Sequence, residues 1–133
     1  MKNIFSIAAL AIFSLMFVKC GNSVSGSRTV VFPDSLIDYH TTVEPLLNLK
    51  CSYEGCHSSD AQTGMRKMDS YVDVMGAENP GLVIPYKPDN SLLIQIIEAK
   101  LTHNPIFPTT YIDDNQKKGL RKWISEGAYE FPR

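Results

Sequence analysis

Neither sign of charge is in excess in this sequence: 13 lysines and arginines stand against 14 aspartates and glutamates in 133 residues, a formal net charge of −1. A nucleic-acid binder needs a basic face, and this balance does not supply one. No period of roughly 20–50 residues recurs, which sets aside solenoids and other repeats. Ten per cent aromatics and ordinary polarity exclude a wholly disordered chain. Gly-rich phosphate loops, a serine nucleophile elbow and paired-carboxylate constellations are also lacking, so the familiar hydrolytic enzymes have no foothold. The length suits one core and leaves too little chain for two, while eight glycines and eight prolines point to a loop-rich fold. The unusual count is three cysteines in so short a chain, whose use depends on compartment.

The amino terminus addresses that. Lys2 precedes an apolar run from Ile4 to Val18, interrupted only by Ser6 and Ser14. Fifteen residues match a signal-peptide h-region and fall short of the roughly 20 needed to span a bilayer. The following Phe17-Val18-Lys19-Cys20-Gly21-Asn22 resembles a bacterial lipoprotein signal, which makes Cys20 the expected lipidated residue. Lys19 stands where such signals usually carry a small residue, so ordinary cleavage or a retained anchor stays open. Residues 1–19 are read as the signal peptide, 20–29 as a flexible tether and 30–133 as the folded domain. Removal of Lys2 and Lys19 leaves 11 basic and 14 acidic residues, a net charge of −3. The expected location is the periplasm or the outer-membrane surface, with membrane contact through the lipid anchor alone.

Three main helices are expected. Asp38 caps a helix with an early proline, Pro45, and with Val43, Leu46 and Leu47 on one face, ending near Lys50. Pro88-Asp89-Asn90-Ser91 introduces a second, with Leu92, Leu93, Ile96 and Ile97 as its apolar stripe. A third starts at Asp113 or Asp114 and runs to about Glu126; it places Leu120, Trp123, Ile124 and Gly127 on one side and Lys117, Lys118, Arg121 and Lys122 mostly on the other. Between the first two the sequence predicts mostly loop, with a helical turn at Ser70–Met75. Val30–Phe32 reads as an extended lead-in with no evident partner strand. The fold class is all-α. Trp123 is expected to anchor the core, and the lysine cluster to be a solvated face or, as the alternative, a docking face for an acidic redox partner.

The chemistry concentrates in Cys51-Ser52-Tyr53-Glu54-Gly55-Cys56-His57. Two nearby cysteines can form thioethers to the two vinyl groups of a haem, and the adjacent histidine then falls under the iron as an axial ligand. The spacer is four residues where two is usual. The heptapeptide alone also allows a Cys51–Cys56 disulfide, which an oxidising compartment permits. A zinc site would need four ligands, and Cys56 and His57 with distant His40 and His103 form a poor chelating set.

Across residues 39–129 the chain resembles the small single-haem cytochrome c domains of exported bacterial proteins. The matching segments run in order: Val43-Glu44-Pro45-Leu46-Leu47, Cys51 to His57, and Gly64-Met65-Arg66-Lys67-Met68. They continue through Val83-Ile84-Pro85, Pro88-Asp89-Asn90-Ser91-Leu92-Leu93 and Trp123-Ile124-Ser125-Glu126-Gly127-Ala128. The resemblance implies a cytochrome c-like fold of about three helices around a covalent haem c, with Cys51 and Cys56 as thioether sites and His57 as proximal iron ligand. It does not supply the distal ligand, because Phe107 stands where the group usually carries a methionine. His103 is the first choice among protein ligands; Met65, Met68, Met75 or an open position remain alternatives, and methionine at 65 and 68 also reads as core filler. His40, near the start of the first helix, is read as solvated or capping.

The implied function is single-electron transfer between redox protein partners, without enzymatic turnover, because two strong axial ligands leave no position for a substrate. Two rivals stay open. One is a non-redox surface lipoprotein on the same scaffold, closed by a Cys51–Cys56 disulfide. The other is a five-coordinate haem sensor or peroxidase, for which an apolar Phe107 supplies no distal acid or base.

Overall fold

The computed structural model describes residues 29–52, 56–60, 66–103 and 111–133. The expected signal peptide, most of the tether, Cys20, Met65 and Phe107 lie outside the described residues. Among those described, the regular structure is helical and contains no strand. A π-helical turn, Tyr39–Val43, runs into α1, Glu44–Lys50; α2 is Tyr71–Met75. A 3-10 turn, Pro88–Asn90, precedes α3, Leu92–Ile97, and α4 is Asp114–Ser125. No helix among the described residues is long and apolar enough to cross a membrane.

The first helix begins where its cap predicts. Asp38 is extended, and its carboxylate accepts from the Thr41 backbone N–H at 2.8 Å and from the Thr41 hydroxyl at 3.1 Å. Its opening turn nevertheless differs from an ordinary α-turn, since Glu44 N–H reaches back to the Tyr39 carbonyl. Pro45 is the physical reason: it has no N–H to offer Thr41, and its ring crowds that carbonyl, so the turn before it widens. Val43, Leu46 and Leu47 are buried as expected. The turn at α2 also forms on its cap, with Ser70 Oγ accepting from Asp73 N–H at 3.2 Å.

In α3 the buried positions are Leu93, Ile94 and Ile97, with Ser91 fully enclosed ahead of them. Leu92 and Ile96, expected on the apolar stripe, are half-buried instead. The reason lies in the composition: five of the six residues in Leu-Leu-Ile-Gln-Ile-Ile are apolar, so periodicity does not choose a face, and packing against α4 does.

The capping box of α4 is complete, with Asp113 accepting from Gln116 N–H at 2.8 Å and Gln116 Oε1 accepting from Asp113 N–H at 3.2 Å. Leu120, Trp123, Ile124 and Gly127 are buried as the sequence implies. The helix closes on Gly127, at φ 109°, with Ala128 N–H returning to the Trp123 carbonyl at 2.9 Å. Three of the four cations on the lysine-rich side have an acidic neighbour. Arg121 is bound to Asp89 and Glu98, Lys118 lies 3.6 Å from Asp34, and Lys122 lies 3.4 Å from Glu126.

Val30–Phe32 forms no strand, and the first turns of α4 supply its hydrogen-bond partners. Asn115 accepts from Phe32 N–H at 2.8 Å and donates to its carbonyl at 3.1 Å, while Gln116 donates to the Val30 carbonyl at 3.1 Å. Phe32 then lies on Gly119, where an added Cβ would fall 2.2 Å from its ring. Alanine in a helix is favoured over glycine by about 1 kcal/mol, but overpacking costs about 1–3 kcal/mol. Gly119→Ala is therefore expected to lower stability by about 1–2 kcal/mol, read as a fall in the urea midpoint; an unchanged or raised midpoint would show that Phe32 is free to move.

His40 joins the two ends of the domain. Its Nδ1 lies 2.8 Å from Glu44 Oε2, and its Nε2 lies 3.1 Å from Glu130 Oε1. Both rest on an exposed ring that also packs against Tyr39 and Phe131. The hydrogen bond to Glu44 raises the His40 pKa above 6.5; loss of solvation opposes it, and the weaker bond to Glu130 adds to the rise. A histidine bound more tightly as the cation stabilises the fold fully below its unfolded pKa, and this contribution fades as pH rises through the folded value. Urea midpoints taken at pH 5.5 and 8.5 are expected to fall toward the higher pH, and to fall less in His40→Gln. Equal slopes in the two proteins would refute the assignment.

Candidate functional site

The site is assembled at the C-terminal end of α1. Cys51 and Ser52 N–H both donate to the Leu47 carbonyl, at 2.7 and 2.8 Å, which ends the helix. Residues 53–55 lie outside the described residues, and the chain then returns: His57 N–H donates to the Cys51 carbonyl at 3.0 Å. That bond sets His57 beside Cys51. The histidine is held further by Met68 N–H, which donates to its carbonyl at 2.8 Å, and Ser59 N–H binds the Asp69 carboxylate just beyond.

The His57 ring has an ordered polarity. Nδ1 lies 2.7 Å from the Arg66 carbonyl, and since a carbonyl only accepts, Nδ1 carries the proton. In the neutral ring Nε2 is then a bare lone pair, the form a metal requires, and fixation of a ligating imidazole by a carbonyl on its far nitrogen is a recurring arrangement. Arg66 also anchors its own segment, donating from Nη1 to the Pro80 carbonyl at 3.2 Å.

His57 Nε2 faces His103 Nε2 at 3.4 Å, with ring centroids 5.7 Å apart and planes inclined at 67°. The structure thus brings together the two histidines that the sequence nominates, 46 residues apart. His40 is not among them; both its nitrogens are engaged by Glu44 and Glu130. Met68 is buried in the hydrophobic core and Met75 packs against it, which matches the core-filler reading of Met68. Among the described residues no group of three or more His, Cys, Asp or Glu side chains gathers to hold a metal ion, so a four-ligand zinc site has no set of donors there.

Cys51 and Cys56 are free thiols, both partly buried, and not joined to each other. Burial pushes the Cys51 thiol up to about 12, with neighbouring Cys56 adding to the shift and Lys50 opposing it. Cys51 is therefore protonated at neutral pH and poorly suited to be a thiolate nucleophile. Beside it the Ser52 hydroxyl is buried with no hydrogen-bond partner, and it is one of two such atoms among the described residues. An orphaned buried hydroxyl costs about 1–3 kcal/mol, so among the described residues Ser52 is a local energetic cost next to Cys51.

These observations test whether a haem c suits the residues. The donor set does fit: two thiols close in sequence, an imidazole whose far nitrogen is fixed, and a second imidazole nitrogen opposite the first. Two metal–imidazole bonds of about 2.0 Å each need a separation of about 4 Å, slightly wider than the observed gap. The alternative occupant of that gap is a proton shared between the rings; 3.4 Å is long for such a hydrogen bond. Sequence reasoning missed the Arg66 carbonyl and the Ser52 hydroxyl. A backbone acceptor leaves no residue signature, and an orphaned hydroxyl is visible only once burial is known. Comparison with protein-family models, curated proteins and solved structures found no match.

Proposed function

We propose that the chain is an exported, lipid-anchored electron-transfer protein with a cytochrome c-like fold, carrying one covalent haem c. Cys51 and Cys56 form its thioethers, His57 is the proximal ligand and His103 the distal ligand. The observation that carries this reading is the opposition of His57 Nε2 and His103 Nε2 at 3.4 Å. When bound, the group supplies a reversible one-electron ferric–ferrous couple.

The residues of the chain do the rest. Hydrogen bonding to Arg66 keeps the proton of His57 on Nδ1 and leaves Nε2 available. With His57 and His103 both holding the group, no coordination position would be left for a substrate, and electrons would pass to and from redox protein partners without bond chemistry. The protein is thus a carrier and not an enzyme. Export follows from residues 1–19, and a lipid on Cys20 tethers the domain to the periplasmic side or the outer-membrane surface.

Intact mass and visible spectrum of the full chain, expressed in a host that matures c-type cytochromes, test the reading. The expected product carries the mass of one haem and, when reduced, shows a low-spin spectrum unmoved by carbon monoxide. A colourless polypeptide would sink the proposal, and a haem protein that binds carbon monoxide avidly would replace electron transfer with the five-coordinate sensor or peroxidase.

A further inference from the structure

His57 and His103 are placed in unlike ways. His57 sits in a loop closed on Cys51 and tied to Arg66 and Met68, whereas His103 follows the end of α3 by six residues. What fixes that exit therefore bears on where the second imidazole lies.

The exit is a left-handed turn. Ala99 has φ 57°, a conformation that residues with a Cβ rarely adopt, and the chain reverses there. Lys100 and Leu101 N–H both return to the Gln95 carbonyl, at 2.7 and 3.1 Å. These returning bonds close the turn locally, and the residue before it, Glu98, is also held from another element.

The group that holds Glu98 is on α4. Arg121 Nη1 donates to Glu98 Oε1 at 2.8 Å, and Nη2 donates to Asp89 Oδ1 at 2.6 Å. Asp89 lies just before α3 and Glu98 is its C-cap, so one planar guanidinium clasps both ends of the helix. Lys100 closes the cluster, with Nζ 2.8 Å from Glu98 Oε2 and 3.6 Å from Asp89 Oδ1. Burial pushes Glu98 upward, yet Lys100 and Arg121 hold its pKa below the ordinary carboxylate range, and Arg121 does the same for Asp89. Surface ion pairs add little to global stability, so the value of this cluster lies in geometry.

We infer that Arg121, through its clasp on Asp89 and Glu98 and the left-handed turn at Ala99, is a positioning residue for His103 and sets its approach to His57. The inference rests on the proposed function only for its consequence at the iron; the contact between the two rings exists in the polypeptide itself.

The test uses the full chain in two forms. Without haem, the nuclear Overhauser cross-peak between the His57 and His103 ring protons reports the contact directly. It is expected in the wild type and lost in Arg121→Met, while the far-UV circular dichroism and Trp123 emission stay unchanged. Glu98→Gln, which keeps the shape of the cap, is expected to weaken the cross-peak and decides the matter should Arg121→Met fail to fold. With haem, Arg121→Met is expected to convert low-spin iron to high-spin. Wild-type cross-peak intensity in the folded variants, or its absence from the wild type, would overturn the inference. A chain that takes up no haem but loses the cross-peak in Arg121→Met would refute the functional reading and keep this one; a low-spin haem protein indifferent to Arg121 would do the reverse.

Discussion

Replacing both Cys51 and Cys56 with serine is expected to turn a haem that survives acid–acetone extraction into one that is lost completely. The effect is all-or-none because a thioether is a covalent bond, whereas iron–imidazole bonds break when the chain unfolds or its histidines are protonated. The structure gives the two sulfurs no other partner that would mask the result: they are free thiols, and burial keeps Cys51 protonated. Single variants are expected to retain haem through the remaining sulfur. If the double variant holds haem as firmly as the wild type, the attachment is wrong. If the wild type contains no haem and its thiols oxidise to a Cys51–Cys56 disulfide, the non-redox lipoprotein takes its place.

Trp123→Ala is expected to cost about 3–5 kcal/mol, the range for removing a buried aromatic from a core. Trp123 is 1% exposed, packs on Tyr39 at a centroid distance of 5.7 Å, and donates from Nε1 to the Tyr129 carbonyl at 2.8 Å. Its loss opens a cavity between α4 and the first helix and also strands that carbonyl. With total stabilities of about 5–15 kcal/mol for a domain, the variant is left near the edge of folding. Trp123→Phe keeps most of the ring volume and gives up the hydrogen bond, for an expected loss of about 1–2 kcal/mol. Urea denaturation followed by circular dichroism separates the two; a loss under about 1 kcal/mol in Trp123→Ala would mean the cavity is absorbed by relaxation.

Local signals were legible in the sequence where a side chain acts on its own backbone. Asp38, Ser70 and Asp113 mark helix starts that the structure places at the expected residues, whereas the Gln116 half of the last cap was not read from the sequence. Features that depend on distant groups were not legible. The apolar composition of α3 hides which face is buried, and Val30–Phe32 finds its partners in two side-chain amides more than 80 residues away. Arg121 reads as one of four cations on a helix face until its two carboxylates are seen in contact with it. At the candidate site, His57 was legible from its place after Cys56. His103 was nominated only because Phe107 is unable to bind iron, and it is the fold that brings it to His57. The Arg66 carbonyl that orders His57 had no signal at all, since every residue carries one.

Electron paramagnetic resonance of the oxidised, haem-loaded full chain, compared with His103→Ala, tests the central claim most directly. A low-spin ferric signal of the two-imidazole type is expected in the wild type, replaced by a high-spin signal in the variant. A high-spin signal in the wild type, or a low-spin signal untouched by His103→Ala, would contradict it.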